Sequence, residues 1–213
     1  MDELIFRERP ATGEPAGLLV LHHGRGADEN DLLGLADQFD PKRKLHVVTP
    51  RGPLPFPGGG FGWYETARLG YPDKPTFDKA YPALAALHDG LWERTGLGPE
   101  QTILGGFSMG TVMSYALGLG SDRPAPKGIL AMSGFMPTVE GWEPNLTDRT
   151  ATRALIVHGL LDGVIDAKFA RHARDVLEQA GFDVEYLESR AAHHIDPRLL
   201  PDISDWITRV LTL

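Results

Sequence analysis

The sequence has no cysteine, which excludes disulfides, thiol catalysis and cysteine-ligated metal. It has no apolar run of about 18 residues, so no membrane-spanning helix and no integral membrane contact are expected. It has no basic run either. The formal net charge is −8 and the pI is near 5.4, which makes nucleic acid and anionic membranes poor partners. The first nine residues, Met1 to Arg9, are charged and strand-like and lack the apolar centre of a signal peptide. These absences lead to the expectation of a soluble, cytoplasmic protein.

What the chain does have is ordinary for a globular protein. Hydrophobic residues make up 42% and charged residues 23%, and 213 residues suffice for one well-buried core. A single domain over residues 1–213 is the expectation. Several apolar runs read as buried strands: Leu18–Leu21, Leu45–Val48, Thr102–Leu104, Gly128–Met132 and Ala154–Val157. Residues 3–8 and 183–188 read as edge strands. Helical patterns lie between them. The first has Asp28 or Asn30 as its cap and Leu32, Leu33, Leu35, Ala36 and Phe39 inward. Others fall at 80–95, after residue 110, at 166–180 and after Asp196. Strands alternating with helices predict an α/β protein, with a mainly parallel sheet covered on both faces and no large cap domain. Residues 49–65 hold too many Pro and Gly for regular structure and are too aromatic for a mere connector. Long loops of this kind are often functional, the alternative being a flap packed on its own aromatics.

One stretch organises the rest. Gly106-Phe107-Ser108-Met109-Gly110 follows a strand and opens a helix, with Ser108 at the apex. A G-x-S-x-G turn holds its serine in a strained conformation, and side chains at the flanking glycines would strike neighbouring backbone. The helix N-terminus behind it favours developing negative charge. In a chain with 25 glycines the motif alone is weak. Its context is stronger. His23-Gly24, Ser108, Asp162 and His193 each follow a predicted strand directly, and in parallel sheets those ends share one edge. A serine hydroxyl needs a base, and the base needs a carboxylate to hold its tautomer. The chain order Ser108, Asp162, His193 is the nucleophile–acid–base order of α/β-hydrolases.

Taken together the motifs are specific. His-Gly-x-Gly-Ala runs from His23 to Ala27, and Pro50-Arg51-Gly52 precedes Trp63-Tyr64. Gly-Phe-Ser-x-Gly spans Gly106 to Gly110, and His-Gly-x-x-Asp-x-Val-Ile spans His158 to Ile165. A His-x-hydrophobic-x-Pro pattern runs from His193 to Pro197. Over most of its length the chain resembles the phospholipase/carboxylesterase family of α/β-hydrolases, small serine esterases that include acyl-protein thioesterases. The resemblance implies an α/β-hydrolase fold. It makes Ser108 the nucleophile, Asp162 the acid and His193 the base, and gives the oxyanion hole to the backbone N–H groups of Arg25 and Met109. Gly24, Trp63, Tyr64 and Phe135 are expected at the substrate site, along with Phe61, although core packing is the competing role for any aromatic.

The expected reaction is cleavage of carboxylic esters, thioesters or lysophospholipids through an acyl-enzyme, with no cofactor and no metal. The competing readings are an acyltransferase or peptidase with the same triad, and a ligand-binding protein on a hydrolase scaffold. An exposed sheet edge or apolar flap would offer a homodimer surface. Two local ambiguities stand. His194 adjoins His193, and Ala192 replaces the glycine that the family places before its histidine; the spacing to Pro197 favours His193. Asp166 competes with Asp162 but reads more simply as a helix cap. His158 reads as a structural residue at a strand end. His22-His23 lacks any H-E-x-x-H or H-x-x-E-H pattern that would point to metal.

Overall fold

The computed structural model describes residues 3–68 and 70–212. Its elements in chain order begin with β1 (Phe6–Arg9), β2 (Gly17–His22), a 3₁₀ turn (Leu32–Leu35), α1 (Ala36–Phe39) and β3 (Leu45–Pro50). Four very short strands follow: β4 (Leu54–Pro55), β5 (Phe61–Gly62), β6 (Thr66–Arg68) and β7 (Tyr71–Pro72). Then come α2 (Lys74–Thr95), β8 (Thr102–Phe107), α3 (Met109–Leu119) and β9 (Gly128–Met132). The chain closes with β10 (Arg153–Gly159), α4 (Lys168–Gln179), β11 (Asp183–Ser189) and α5 (Leu200–Leu211).

Among the described residues, seven strands form one sheet in the order β1-β3-β2-β8-β9-β10-β11, with only β1 antiparallel to its neighbour. The central strands are buried throughout because both faces are covered. Leu18 and Val20 point to one face, against α2 and α3, and Leu19 and Leu21 to the other, against α1 and α5. Further along, Ile129, Ala131, Ala154 and Ile156 pack against α3 and α4. All eleven residues of α3 are buried. A helix apolar all round belongs inside a protein, and this one directly follows Ser108.

The strand order has one consequence for function. From β2 the chain steps outward to β3, then returns to lay β8 on the other side of β2. The loops after β2 and β8 therefore leave in opposite directions and open a crevice, the usual ligand position in such sheets. His22 pairs with Gly106 across that junction.

Several elements depart from the sequence expectations. The segment after residue 28 forms a 3₁₀ turn and one short α turn rather than a regular helix, and Asp28 instead accepts the Asn30 N–H. Helix α2 starts at Lys74, six residues before the expected position. Asp73 caps it by accepting the Thr76 N–H at 3.0 Å, Pro75 fits the first turn, and Pro82 is accommodated inside. The Pro/Gly-rich loop contains a miniature hairpin, β4–β5, and a second, β6–β7, follows it. Asp196 caps a 3₁₀ turn (Pro197–Leu199) that leads into α5.

Candidate active site

Ser108 sits at φ 54° and ψ −116°, a conformation L-residues rarely adopt. Neighbouring groups hold it there. Its N–H donates to Met132 O at 2.8 Å, and the Thr111 hydroxyl lies 2.7 Å from both Gly106 O and Met132 O. A Cβ on Gly110 would overlap the His22 carbonyl, and one on Gly106 would overlap the Gly110 backbone. The elbow can therefore press against the end of β2 only with glycine at these positions.

Three strand ends converge here. His193, after β11, places Nε2 2.9 Å from Ser108 Oγ and Nδ1 2.7 Å from Asp162 Oδ2. The other Asp162 oxygen accepts the N–H groups of Val164 and Ile165, both at 2.8 Å. Asp162 has no side-chain exposure. Burial alone would raise its pKa. The hydrogen bonds from His193, Ile165 and Val164 outweigh burial and hold the carboxyl below its ordinary value. His158 Nε2–H donates to Ile165 O at 2.8 Å and so braces the turn that carries Asp162. His194 is exposed, with its backbone N–H bonded to Ala192 O. Asp166 is exposed and accepts the Lys168 N–H at 2.8 Å at the start of α4.

Opposite the elbow lies the loop after β2. Gly26 N–H donates to Phe61 O and Ala27 N–H to Gly24 O, while the Arg25 N–H has no backbone acceptor among the described residues. Met109 is the first residue of α3, so its N–H has no intrahelical partner. His23 shapes this loop from below. Its Nε2 accepts the Gly52 N–H at 2.9 Å, so Nδ1 carries the proton and donates to Gly24 O at 2.7 Å. Trp63 Nε1–H donates to His23 O at 2.9 Å. Glu29, buried, receives Arg51 in a bidentate pair with both contacts at 2.5 Å, and the Arg51 guanidinium lies over Phe61. That pair lowers the Glu29 pKa.

A buried polar chain crosses the seam between the two halves. The Ser114 hydroxyl donates to Gly110 O at 3.0 Å, so His22 Nδ1–H donates to Ser114 Oγ at 2.8 Å. His22 Nε2 then accepts from His88 Nε2–H at 3.2 Å. Burial pushes the His22 pKa well below its ordinary value and that of His88 down to about 3, so both imidazoles are neutral.

The crevice encloses a cavity of about 490 Å³. Of the residues expected at the substrate site, Gly24, Tyr64 and Phe135 line this cavity, together with Phe107 and Ile165. Trp63 does not. It is fully buried and spends its indole N–H on His23, so it supports the pocket floor from behind. Phe61 is likewise outside the lining, occupied with Arg51. Arg68 lines the cavity and carried no signal in the sequence, since no motif includes it. Among the described residues, no three His, Asp or Glu side chains gather as a metal site. Among the same residues no helix is long and apolar enough to cross a membrane.

Comparison with known proteins places the chain. It is 22% identical over 204 residues to acyl-protein thioesterase 1 homolog 1 of Dictyostelium discoideum, covering 91% of this chain and 90% of that one. The crystal structure of esterase PE8 superposes with a TM-score of 0.81 at 28% identity, over 98% of this chain and 100% of that one. A carboxylesterase from Mesorhizobium loti superposes with a TM-score of 0.83 at 23% identity, over 96% and 94% of the two chains. The profile of the phospholipase/carboxylesterase family matches residues 9–211, and the chain belongs to that family.

Proposed function

We propose that this chain is a serine esterase acting through Ser108, His193 and Asp162. The observation that carries this reading is the single imidazole bonded to both other groups, at 2.9 and 2.7 Å. Asp162 accepts a hydrogen bond from His193 Nδ1–H, which leaves the Nε2 lone pair facing the Ser108 hydroxyl. As Ser108 Oγ attacks the ester carbonyl carbon, its proton passes to His193 Nε2. The carbonyl oxygen becomes an oxyanion, held by the N–H groups of Arg25 and Met109. Loss of one such donor slows acyl transfer about 10²–10³-fold. His193 then protonates the leaving alcohol or thiol as its bond to the acyl carbon breaks. Water then adds to the acyl carbon as His193 takes its proton; His193 passes that proton to Ser108 Oγ as the acyl–Oγ bond breaks, which frees the acid and restores the serine.

The pocket supports a small or medium acyl group, since Tyr64, Phe107, Phe135 and Ile165 supply apolar walls. Burial pushes the Tyr64 pKa far up, so its phenol stays neutral beside the reacting centre. The test is intact-mass labelling with a fluorophosphonate. One adduct is expected on the wild type and on His194→Ala, and none on Ser108→Ala or His193→Ala. No adduct on folded wild type would instead mark a binding protein on a hydrolase scaffold. A panel of esters, thioesters, amides and acyl acceptors then separates esterase from thioesterase, peptidase and acyltransferase.

A further inference from the structure

The arginines of this acidic chain divide into two groups. Most face a carboxylate, as Arg51 does Glu29, Arg171 does Glu188 and Arg209 does Glu185. With 29 acidic residues present, such pairing is the default. Among the described residues, no carboxylate lies within ion-pair distance of Arg25, Arg68, Arg149 or Arg190, and Arg149 spends its donors on the backbone carbonyls of Gly118, Gly120 and Arg123. Arg25 follows β2, Arg190 follows β11, and Arg68 ends β6. Arg25 and Arg68 both line the cavity that contains Ser108.

Each of these two is also held in place. The Arg25 guanidinium lies 4.4 Å from the centre of the Phe56 ring, and that of Arg68 lies 3.5 Å from the centre of Tyr71. An aromatic ring satisfies the flat face of a guanidinium and leaves its edge N–H donors unspent. Those edges match the paired oxygens of a carboxylate or phosphate. Asp31 also lines the cavity, so its charged side chains other than His193 leave one net positive charge in a protein of net charge −8.

Resting on the esterase reading, we propose that the preferred substrates are anionic esters, carrying a carboxylate or phosphate that docks on Arg25 and Arg68. The charge sits on either side of the scissile bond, and the substrates of the test distinguish the two. Ethyl hydrogen succinate against ethyl isocaproate tests an acyl-side carboxylate. Butyryl glycerol phosphate against butyryl glycerol tests a leaving-group phosphate.

The quantity read is the ratio of kcat/KM for the anionic ester to that for its neutral partner, so general changes in activity cancel. A ratio of about ten is expected in one arm at low ionic strength, shrinking as salt rises to about 0.5 M. Arg68→Gln and Arg25→Leu should bring it toward one, Arg68→Lys should restore part of it, and Asp31→Asn should raise it. Ratios near one in both arms, or ratios that survive both arginine variants, overturn the proposal. Arg190 lies outside the lining, so an Arg190→Gln effect as large as that of Arg68→Gln overturns it in favour of a diffuse surface field. Calorimetry on Ser108→Ala with N-ethylsuccinamic acid and its neutral isocaproamide analogue gives a second readout. Tighter binding of the acid supports an acyl-side carboxylate, whether or not any ester turns over; equal or weaker binding together with a ratio near one for the phosphate pair overturns the proposal. Failure of the esterase reading would show separately, as no hydrolysis of the neutral esters.

Discussion

On one side of the cavity, Ser108, Asp162 and His193 follow β8, β10 and β11, three parallel strands of the sheet. On the other, the loop after β2 meets the Pro/Gly-rich flap at residues 51–62, whose regular structure among the described residues is the short hairpin β4–β5. The first side is positioned by strand register and buried hydrogen bonds. The second is positioned by backbone-to-backbone contact and stacked side chains: a Cβ on Gly60 would overlap Gly26 O, Ala27 bridges Phe61, and Arg51 ties Glu29 to the flap. Chemistry placed on the sheet side tolerates little displacement. Recognition placed on the flap side can vary without disturbing the sheet.

The sharpest way to break the contrast is on the sheet side. Asp162→Asn keeps an oxygen for Val164 and Ile165 but turns an amide toward His193, which favours the wrong tautomer. A fall in kcat of about 10³–10⁴ is expected with the fold intact, read by ester hydrolysis and circular dichroism. A similar loss from Asp166→Ala would move the acid elsewhere.

Next come the two close glycine contacts. Gly110→Ala should remove about 3–5 kcal/mol of unfolding free energy in urea, because the added methyl drives β2 from α3. Gly60→Ala should raise KM severalfold while removing no more than about 2 kcal/mol, because its neighbours can open locally. Equal losses of stability would mean that the flap and the sheet unfold as one unit.

The seam is tested by pH. His88 ionises near its ordinary 6.5 when unfolded but at about 3 when folded. Between those values the unfolded chain binds the extra proton, so stability falls as the solution is acidified. His22, also lowered, acts in the same direction. His88→Gln should flatten the dependence of unfolding free energy on pH between pH 4 and 6 by about 1.4 kcal/mol per unit. An unchanged slope would show that the buried pair is not the titrating element. The smallest effect belongs to Asp166→Ala. Loss of a cap should cost about 0.5–1 kcal/mol in chemical denaturation and leave kcat/KM within about twofold.

Much of this was legible beforehand, for particular reasons. Leu18–Leu21 and Gly128–Met132 read as strands because strands covered on both faces must be apolar at every position. Helix α2 was read too short because Pro75 looks like a breaker, while the Asp73 cap that starts the helix resembles any loop aspartate. The loop at residues 49–65 read as functional from its composition, but its hairpin β4–β5 is too short for any periodic signal. The segment after Ala27 carries leucines at helical spacing yet folds as a 3₁₀ turn and one short α turn. Trp63 was misplaced because an aromatic next to a motif does not say which way its ring faces.

The sequence by itself determined the alternation of strands and helices, the positions after strands where polar chemistry could stand, and the glycines that an elbow at Ser108 requires. Those are local properties, governed by hydrophobic period and backbone sterics. Only the tertiary structure decided that His193 and not its neighbour faces Ser108, that Trp63 braces the floor while Phe107 forms the wall, and that two unpaired arginines share the cavity. Each of these depends on the direction of a side chain relative to residues distant in the chain. That direction is set by how the sheet, the flap and α3 pack together.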